Sequence, residues 1–234
     1  MNNTNSTRVL SGIGLLLMCC AGPAAAADSV YGNEIRAGIY IVQYDTHADD
    51  ITGPFVPKGV NLDVNNVNTA YVAYVRRLSP NFVLELAAGV PPKTETVGKG
   101  PATLGSVPFN GEVISTAKWL APTLLLNYVF FDESASWRPY FGLGANYTKF
   151  YDRQSTAAGN AANGGPTAIS LSTSLGPAAT LGVRWHLQDR WSLYASYSYS
   201  VVRSNLTANT AGVIRRTHID FNPTTLVVAV GFAF

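Results

Sequence analysis

The chain has 234 residues, enough for one large domain or two small ones. Only 13% of them are charged, against about 25% in ordinary soluble chains, and the net charge of +2 is spread without a basic stripe. That excludes a nucleic-acid footprint and does not suit a typical cytosolic enzyme.

Residues 1–8 are polar and carry Arg8, and 9–23 form the apolar run "VLSGIGLLLMCCAGP". Ala25 and Ala27 then give an A-x-A-like cleavage site before Asp28. The pattern predicts a cleaved secretory signal peptide over 1–27 and a mature domain over 28–234. A lipoprotein signal at Cys19 or Cys20 is the rival, but neither is preceded by the small residue that such signals usually have. Both cysteines of the chain fall in this segment, so the mature chain would have no thiol for a disulfide, a metal or nucleophilic attack.

No later run reaches the roughly 20 apolar residues of a membrane helix. "WLAPTLLLNYVFF" (Trp119–Phe131) is too short and contains Pro122. Instead, period-two alternation predicts strands at 34–46, 66–78, 82–92, 118–131, 138–151, 174–187, 191–203 and 218–234. Short turns (79–81, 132–137, 188–190) alternate with long connectors (47–65, 93–117, 152–173, 204–217). The third long connector is rich in Ala, Asn and Gly, a composition that predicts a mobile loop.

In 138–151, Phe141, Leu143, Ala145 and Tyr147 oppose Tyr140, Gly142, Gly144, Asn146 and Thr148. The terminal "TTLVVAVGFAF" sets Leu226, Val228, Val230, Phe232 and Phe234 against smaller residues. A soluble sandwich alternates too, but these strands have the length of a tilted bilayer crossing. Aromatic residues also gather near strand ends (Tyr40, Trp119, Phe130, Phe131, Trp137, Phe150, Tyr151, Trp185, Trp191), where an interfacial girdle would lie. The predicted fold is all-β: an eight-stranded antiparallel transmembrane β-barrel with long extracellular loops and short periplasmic turns.

The segments "LELAAGVPP", "LAPTLLLNYVFF", "WRPYFGLGANYTKFYD", "LGVRWHLQDRWSLYASYSY" and "GFAF", in this order, resemble the OmpW family of outer-membrane proteins. The resemblance spans essentially the whole mature chain. It implies a bacterial outer-membrane barrel with a narrow apolar interior that passes small hydrophobic molecules. It also implies that Phe234 is part of the signal read by the outer-membrane assembly machinery. Ala233 stands where many members have a basic residue.

The mature chain contains His47, His186 and His218, without a paired-His motif or a G-x-S-x-G elbow, so no catalytic residue, metal ligand or cofactor is assigned. His218 near Asp220 and several serines could be cast as a lipid hydrolase; a rim residue at a loop-to-strand junction is the simpler reading. "GLGAN" lacks the third glycine of a dinucleotide loop, and its glycines would make room inside the barrel. The strand register turns Glu85, Asn127 and Arg184 inward and ends the second strand at Arg76 or Arg77. Glu85, Arg184 and His186 are the candidate polar plug towards the periplasm. Leu125, Asn127, Asn146, Thr148, Ala178 and Thr180 are candidates for the lumen path. Pro122, Pro177 and Pro223 fall in the outer half of the wall, where missing ladder bonds would open a lateral exit.

The function these features point to is passive uptake of small hydrophobic solutes with lateral exit into outer-membrane lipid, with no nucleic-acid partner. A non-conducting structural or adhesive barrel acting through its loops is the alternative, ahead of a lipid hydrolase.

Overall fold

The computed structural model describes residues 32–104 and 107–234, so the proposed signal peptide lies outside the described residues. Eight strands form the barrel wall: β1 (Asn33–Tyr44), β2 (Val67–Arg77), β3 (Phe82–Gly89), β4 (Thr123–Val129), β5 (Trp137–Ser155), β6 (Ser174–Gln188), β7 (Trp191–Ser200) and β8 (Pro223–Ala233). Each pairs antiparallel with its neighbours in sequence. β8 closes on β1 from Glu34↔Ala233 to Tyr44↔Pro223. Two further backbone bonds between Asn33 and Phe234 complete the seam, so the terminal strand has no free edge there.

The alternation sorts residues as the sequence predicts. On β8, Thr225, Val227, Ala229 and Ala233 are buried in the lumen, while Leu226, Val228, Val230 and Phe234 are exposed. Ile35, Ile39, Leu86, Leu124, Leu126, Leu143 and Leu181 continue that outer apolar belt on other strands. At the end of the barrel with the short turns, Phe82, Tyr128, Phe130, Phe131, Trp137, Trp185 and Trp191 stand exposed in a girdle. Tyr40, Trp119 and Phe150, assigned from sequence to the girdle, instead sit in the upper lumen, because their strand positions share the parity of buried neighbours.

The short turns are as predicted, and Asp189 takes a left-handed φ of 48° in the turn between β6 and β7. The long connectors differ from the sequence reading, because they continue the wall. Strands Asn61–Val64, Lys93–Lys99 and Val113–Leu120 pair in sequence with one another and then with upper β5. On the other side Ala168–Leu171, Arg203–Thr210, Val213–Asp220 and His47–Ala48 form a second sheet. Several predicted strands are therefore two, with breaks at residues 90–92, 121–122, 201–202 and 221–222. Asn222 has a φ of 38°, and Pro91, Pro92 and Pro122 lack a ladder donor, so the breaks sit where the backbone cannot continue a strand.

The connector expected to be a mobile loop is ordered. It forms a short helix, Ala157–Asn163, and the strand Ala168–Leu171. Thr156 caps the helix by accepting from Gly159 N, and Gly164 ends it in the left-handed conformation. The sheets and helix enclose an apolar cluster of Val60, Leu62, Phe109, Leu206 and Ala208 above the belt.

The seam leaves no room at Gly38. A Cβ there would lie 2.6 Å from Ala229 Cα and 2.7 Å from its Cβ, on the strand that closes the barrel. Gly38→Val is expected to lower the folded fraction after refolding into detergent micelles, measured by circular dichroism and electrophoretic mobility. Ile39→Val, on the lipid face one residue along, is expected to refold as the parent does.

Candidate functional site

The middle of the lumen is closed by a network around Arg36, which is 5% exposed. Its Nε donates to Glu34 Oε1 at 2.7 Å and its Nη1 to Glu85 Oε2 at 2.9 Å. Tyr71 donates to Glu85 at 2.7 Å, Asn127 to the same carboxylate at 2.8 Å, and Tyr194 to Glu34 at 2.8 Å. The guanidinium also lies 3.7 Å from the centre of the Tyr194 ring. One cation between two carboxylates leaves a charge of −1, and three neutral donors stabilise it.

Small residues make room for this plug. A Cβ at Gly142 would overlap the Asn127 amide, one at Gly182 the Tyr140 ring, and one at Gly231 both Glu34 and Tyr194. Of the "GLG" glycines, Gly142 makes room in the lumen, whereas Gly144 lets the backbone of β4 at Leu124 and Leu125 approach closely.

Of the three plug residues assigned from sequence, only Glu85 belongs to the network. Arg184 lies below it and donates to Ser192 at 3.1 Å, and His186 is half-buried further towards the β6–β7 turn. Arg184 lines a space of ≈ 600 Å³, open solvent included, on the turn side of the plug, together with Arg77 and Arg138. Arg138 donates to the carbonyls of Pro80, Phe130 and Phe131 and thereby ties two turns together. Arg77 is the inward member of its pair and bridges to Glu133, whereas Arg76 is outward and bonds Asn33.

Glu34 and Arg36 escaped the sequence reading although their signal was present. In "NEIRAGI" they share one parity, opposite Ile35 and Ile39, and so had to face inward with Glu85.

Above the plug the lumen changes character. The six residues assigned to the lumen path all face inward and are buried, but at different heights. Asn127 is part of the plug. Leu125 and Ala178 border a small space directly above Glu85, and Thr180 accepts from Ser198. Asn146 and Thr148 reach a space of ≈ 660 Å³, open solvent included, of which only ≈ 40 Å³ admits the centre of a water-sized solute, and its walls are otherwise mainly apolar: Val42, Trp119, Phe150, Val202, Ile219 and Phe221. Its polar groups bond one another, Thr148 to Asn146 and Asn146 to Thr123, so few are left facing the cavity. Higher still, Phe55, Val56, Val60, Phe109 and Ile169 border a space of ≈ 1170 Å³ among the loops, open solvent included.

Beside the upper cavity the wall has a break. The β3–β4 ladder ends at Ala87↔Thr123 and pairing resumes only at Lys93↔Lys118. Residues 88–92 and 119–122 have no ladder pair between them, and Pro91, Pro92 and Pro122 border the gap. Pro122 lies where the sequence reading put a weakened wall. Pro177 pairs with Ala145 inside a continuous ladder, and Pro223 pairs with Tyr44 as the last pair of the seam, directly after the break at 221–222. Pro91 and Pro92 had been absorbed into the end of the third strand.

His218 contacts Asn205 Oδ1 at 2.9 Å and Asp220 Oδ1 at 3.4 Å, and Asp220 also binds Arg203. Its ring contacts hold no serine hydroxyl. Among the described residues there is no cluster of metal-ligating side chains.

Removing Arg36 would leave Glu34 and Glu85 facing each other unpaired. Arg36→Leu is expected to reduce unfolding free energy in detergent by about 3–5 kcal/mol, read from urea titration of tryptophan fluorescence. Glu85→Gln, whose one amide oxygen can still accept from Arg36 and Asn127 while its NH2 donates to the Tyr71 hydroxyl, is expected to cost less.

A family model described as the OmpW family matches residues 33–234. The chain is 29% identical over 201 residues to Outer membrane protein W of Vibrio cholerae serotype O1, covering 86% of this chain and 87% of that protein. It is 25% identical over 179 residues to Outer membrane protein AlkL of Ectopseudomonas oleovorans, covering 74% of this chain and 70% of that one. The crystal structure of the outer membrane protein OprG from Pseudomonas aeruginosa shares the fold, with a TM-score of 0.78 at 22% identity, over 91% of this chain and 98% of that one. With a sealed eight-stranded barrel and a family match over nearly all described residues, the chain belongs to the OmpW family of outer-membrane proteins.

Proposed function

We propose that the protein is a passive conduit for small hydrophobic molecules, which enter among the loops and leave sideways into the bilayer. The observation that carries this reading is the order of environments along the axis. Mainly apolar cavities lie above, a charged network closes the middle, and the unpaired wall segment adjoins the upper cavity. An apolar solute gains nothing by crossing Glu34, Arg36 and Glu85. Moving from the cavity into lipid keeps its surface out of water, a transfer favoured from the aqueous side by about 25 cal/mol per Å². No energy source or cofactor is required.

The exit fits the gap bordered by residues 88–92 and 119–122, because opening a wall that already lacks ladder pairs breaks no backbone hydrogen bonds there. Val90 and Leu120 are exposed at its outer mouth, 53% and 41% respectively. Asn146, Thr148, Leu125 and Ala178 would line the route above the plug.

Proteoliposomes carrying the protein are expected to accumulate an apolar fluorescent tracer faster than empty liposomes, and to pass hydrophilic dyes no faster. A variant combining Pro91→Thr, Pro92→Thr and Pro122→Val, able to extend the ladder, is expected to slow tracer entry several-fold. Pro177→Val and Pro223→Thr are expected to leave it unchanged. Tracer entry equal to that of empty liposomes would favour the non-conducting, loop-acting barrel.

The assembly reading of Phe234 belongs to the same proposal and is supported by its half-exposed ring at the turn end of the closing seam. Phe234→Ser is expected to lower the amount of barrel inserted in cells while leaving refolding of purified protein in detergent unchanged.

A further inference from the structure

The chain has five lysines, Lys58, Lys93, Lys99, Lys118 and Lys149. Three of them meet on one flank of the outer wall. Lys93 and Lys118 are direct ladder partners, and Lys118 pairs in turn with Tyr151 on β5. Lys149, two residues before Tyr151 on β5, pairs with Leu120, which follows Lys118 by two. Side chains two apart share a face, so all three ammonium groups point outward on adjacent strands about 4.8 Å apart.

Like charges directly opposite each other on a sheet are unfavourable, and the protein offsets this only in part. Asp152 binds Lys118 at 2.9 Å. Among the described residues no carboxylate lies within ion-pair distance of Lys93 or Lys149, whereas Lys99, elsewhere on the rim, is paired with Asp63 at 2.6 Å. Lys93 and Lys149 thus present two ammonium groups without an ion pair, with Glu95 two residues beyond Lys93 on the same exposed face as the nearest further carboxylate on that strand. At the corresponding breaks Gln43, Leu175, Tyr199 and Thr224 on the belt side are uncharged, and Arg203, the exposed residue on the loop side of the 201–202 break, is paired with Asp220 at 3.1 Å. The positive charge therefore belongs to one flank and does not encircle the barrel.

Directly below the lysines on the same face lie Leu120, Leu124, Leu143 and Tyr147, each at least 41% exposed. A headgroup held by the lysines would thus have its chains laid along an apolar wall.

We propose that Lys93, Lys118 and Lys149 form a docking site for the phosphate group of a phosphorylated glycolipid in the outer leaflet. A phosphate monoester carries about −1.5 to −2 charges near neutral pH, enough to pair with both ammonium groups that lack an ion partner. Lysine clusters at a membrane surface attract anionic headgroups, and the acyl chains of the same molecule cover the leucines below. A soluble anion would have only the lysines, screened by salt. The site lies at the outer border of the wall gap, since Lys93 follows Pro92 directly and Lys118 precedes Trp119. It stands whether or not the gap conducts.

The test uses the full barrel in phosphatidylcholine nanodiscs containing bis-phosphorylated lipid A as the probe, with retained lipid counted by native mass spectrometry. Wild-type protein is expected to retain lipid A. The variant K93Q/K118Q/K149Q is expected to retain it roughly a hundredfold less, from about 1 kcal/mol per surface lysine. Asp152→Asn is expected to retain more, and K58Q/K99Q as much as wild type. Circular dichroism checks that each variant keeps its barrel, and the substituted side chains all face outward. Equal retention by the triple variant, equal retention of lipid A lacking its phosphates, or full displacement by millimolar inorganic phosphate would each overturn the proposal.

Discussion

Hydrocarbon offers no partner to an N–H or a C=O, so a chain that crosses it as strands must close its sheet. Here closure depends on the β1–β8 seam, from Glu34↔Ala233 to Tyr44↔Pro223. Eight strands give a cylinder whose interior is just wide enough for side chains to fill. The polar content of the lumen follows from that width. Charges cannot face lipid, and a narrow interior leaves them little water, so they find one another. Arg36 with Glu34 and Glu85 is the result.

The same narrowness explains the distribution of glycines and aromatics. Tyr71, Tyr140 and Tyr194 fill the lumen around the arginine, and Gly142, Gly182 and Gly231 leave the volume they and their neighbours occupy. Large and small inward residues alternate around the barrel, so the plug is packed as well as bonded. A network in which both carboxylates and the guanidinium are bonded within a packed shell is rigid.

Above the plug the closure rule relaxes. The wall rises past the apolar belt, where water can satisfy backbone groups, and there it divides into two sheets with breaks in almost every strand. Only β5 runs through without interruption, over 19 residues. Most breaks are bridged by isolated backbone bonds, such as Val201 to Pro177 and Phe221 to Val202. The break between residues 88–92 and 119–122 coincides with three prolines, which cannot supply the missing donors. An apolar cavity, an unpaired wall segment and a positively charged outer border thus lie next to one another on one flank.

Alternation, strand length and loop spacing made the eight-strand barrel legible in the sequence, because the side-chain period in a strand is two and lipid tolerates no exception on one face. Residue parity likewise placed Leu125, Asn127, Asn146, Thr148, Ala178 and Thr180 in the lumen. Parity, however, fixes which face a residue is on without fixing which residues meet across the cylinder. The partner of Glu85 is Arg36, 49 residues away in the chain, and strand stagger and tilt brought them together where sequence reasoning offered Arg184. Trp119 and Phe150 could be read as girdle residues because a strand-end aromatic looks the same in sequence whether it faces lipid or lumen. The sequence by itself determined a lipid-facing sheet, its strand count and its inward residues. Tertiary closure alone decided the height of the plug, the continuation of the loops as wall and the place where the wall is unpaired, because each depends on register between strands distant in the chain.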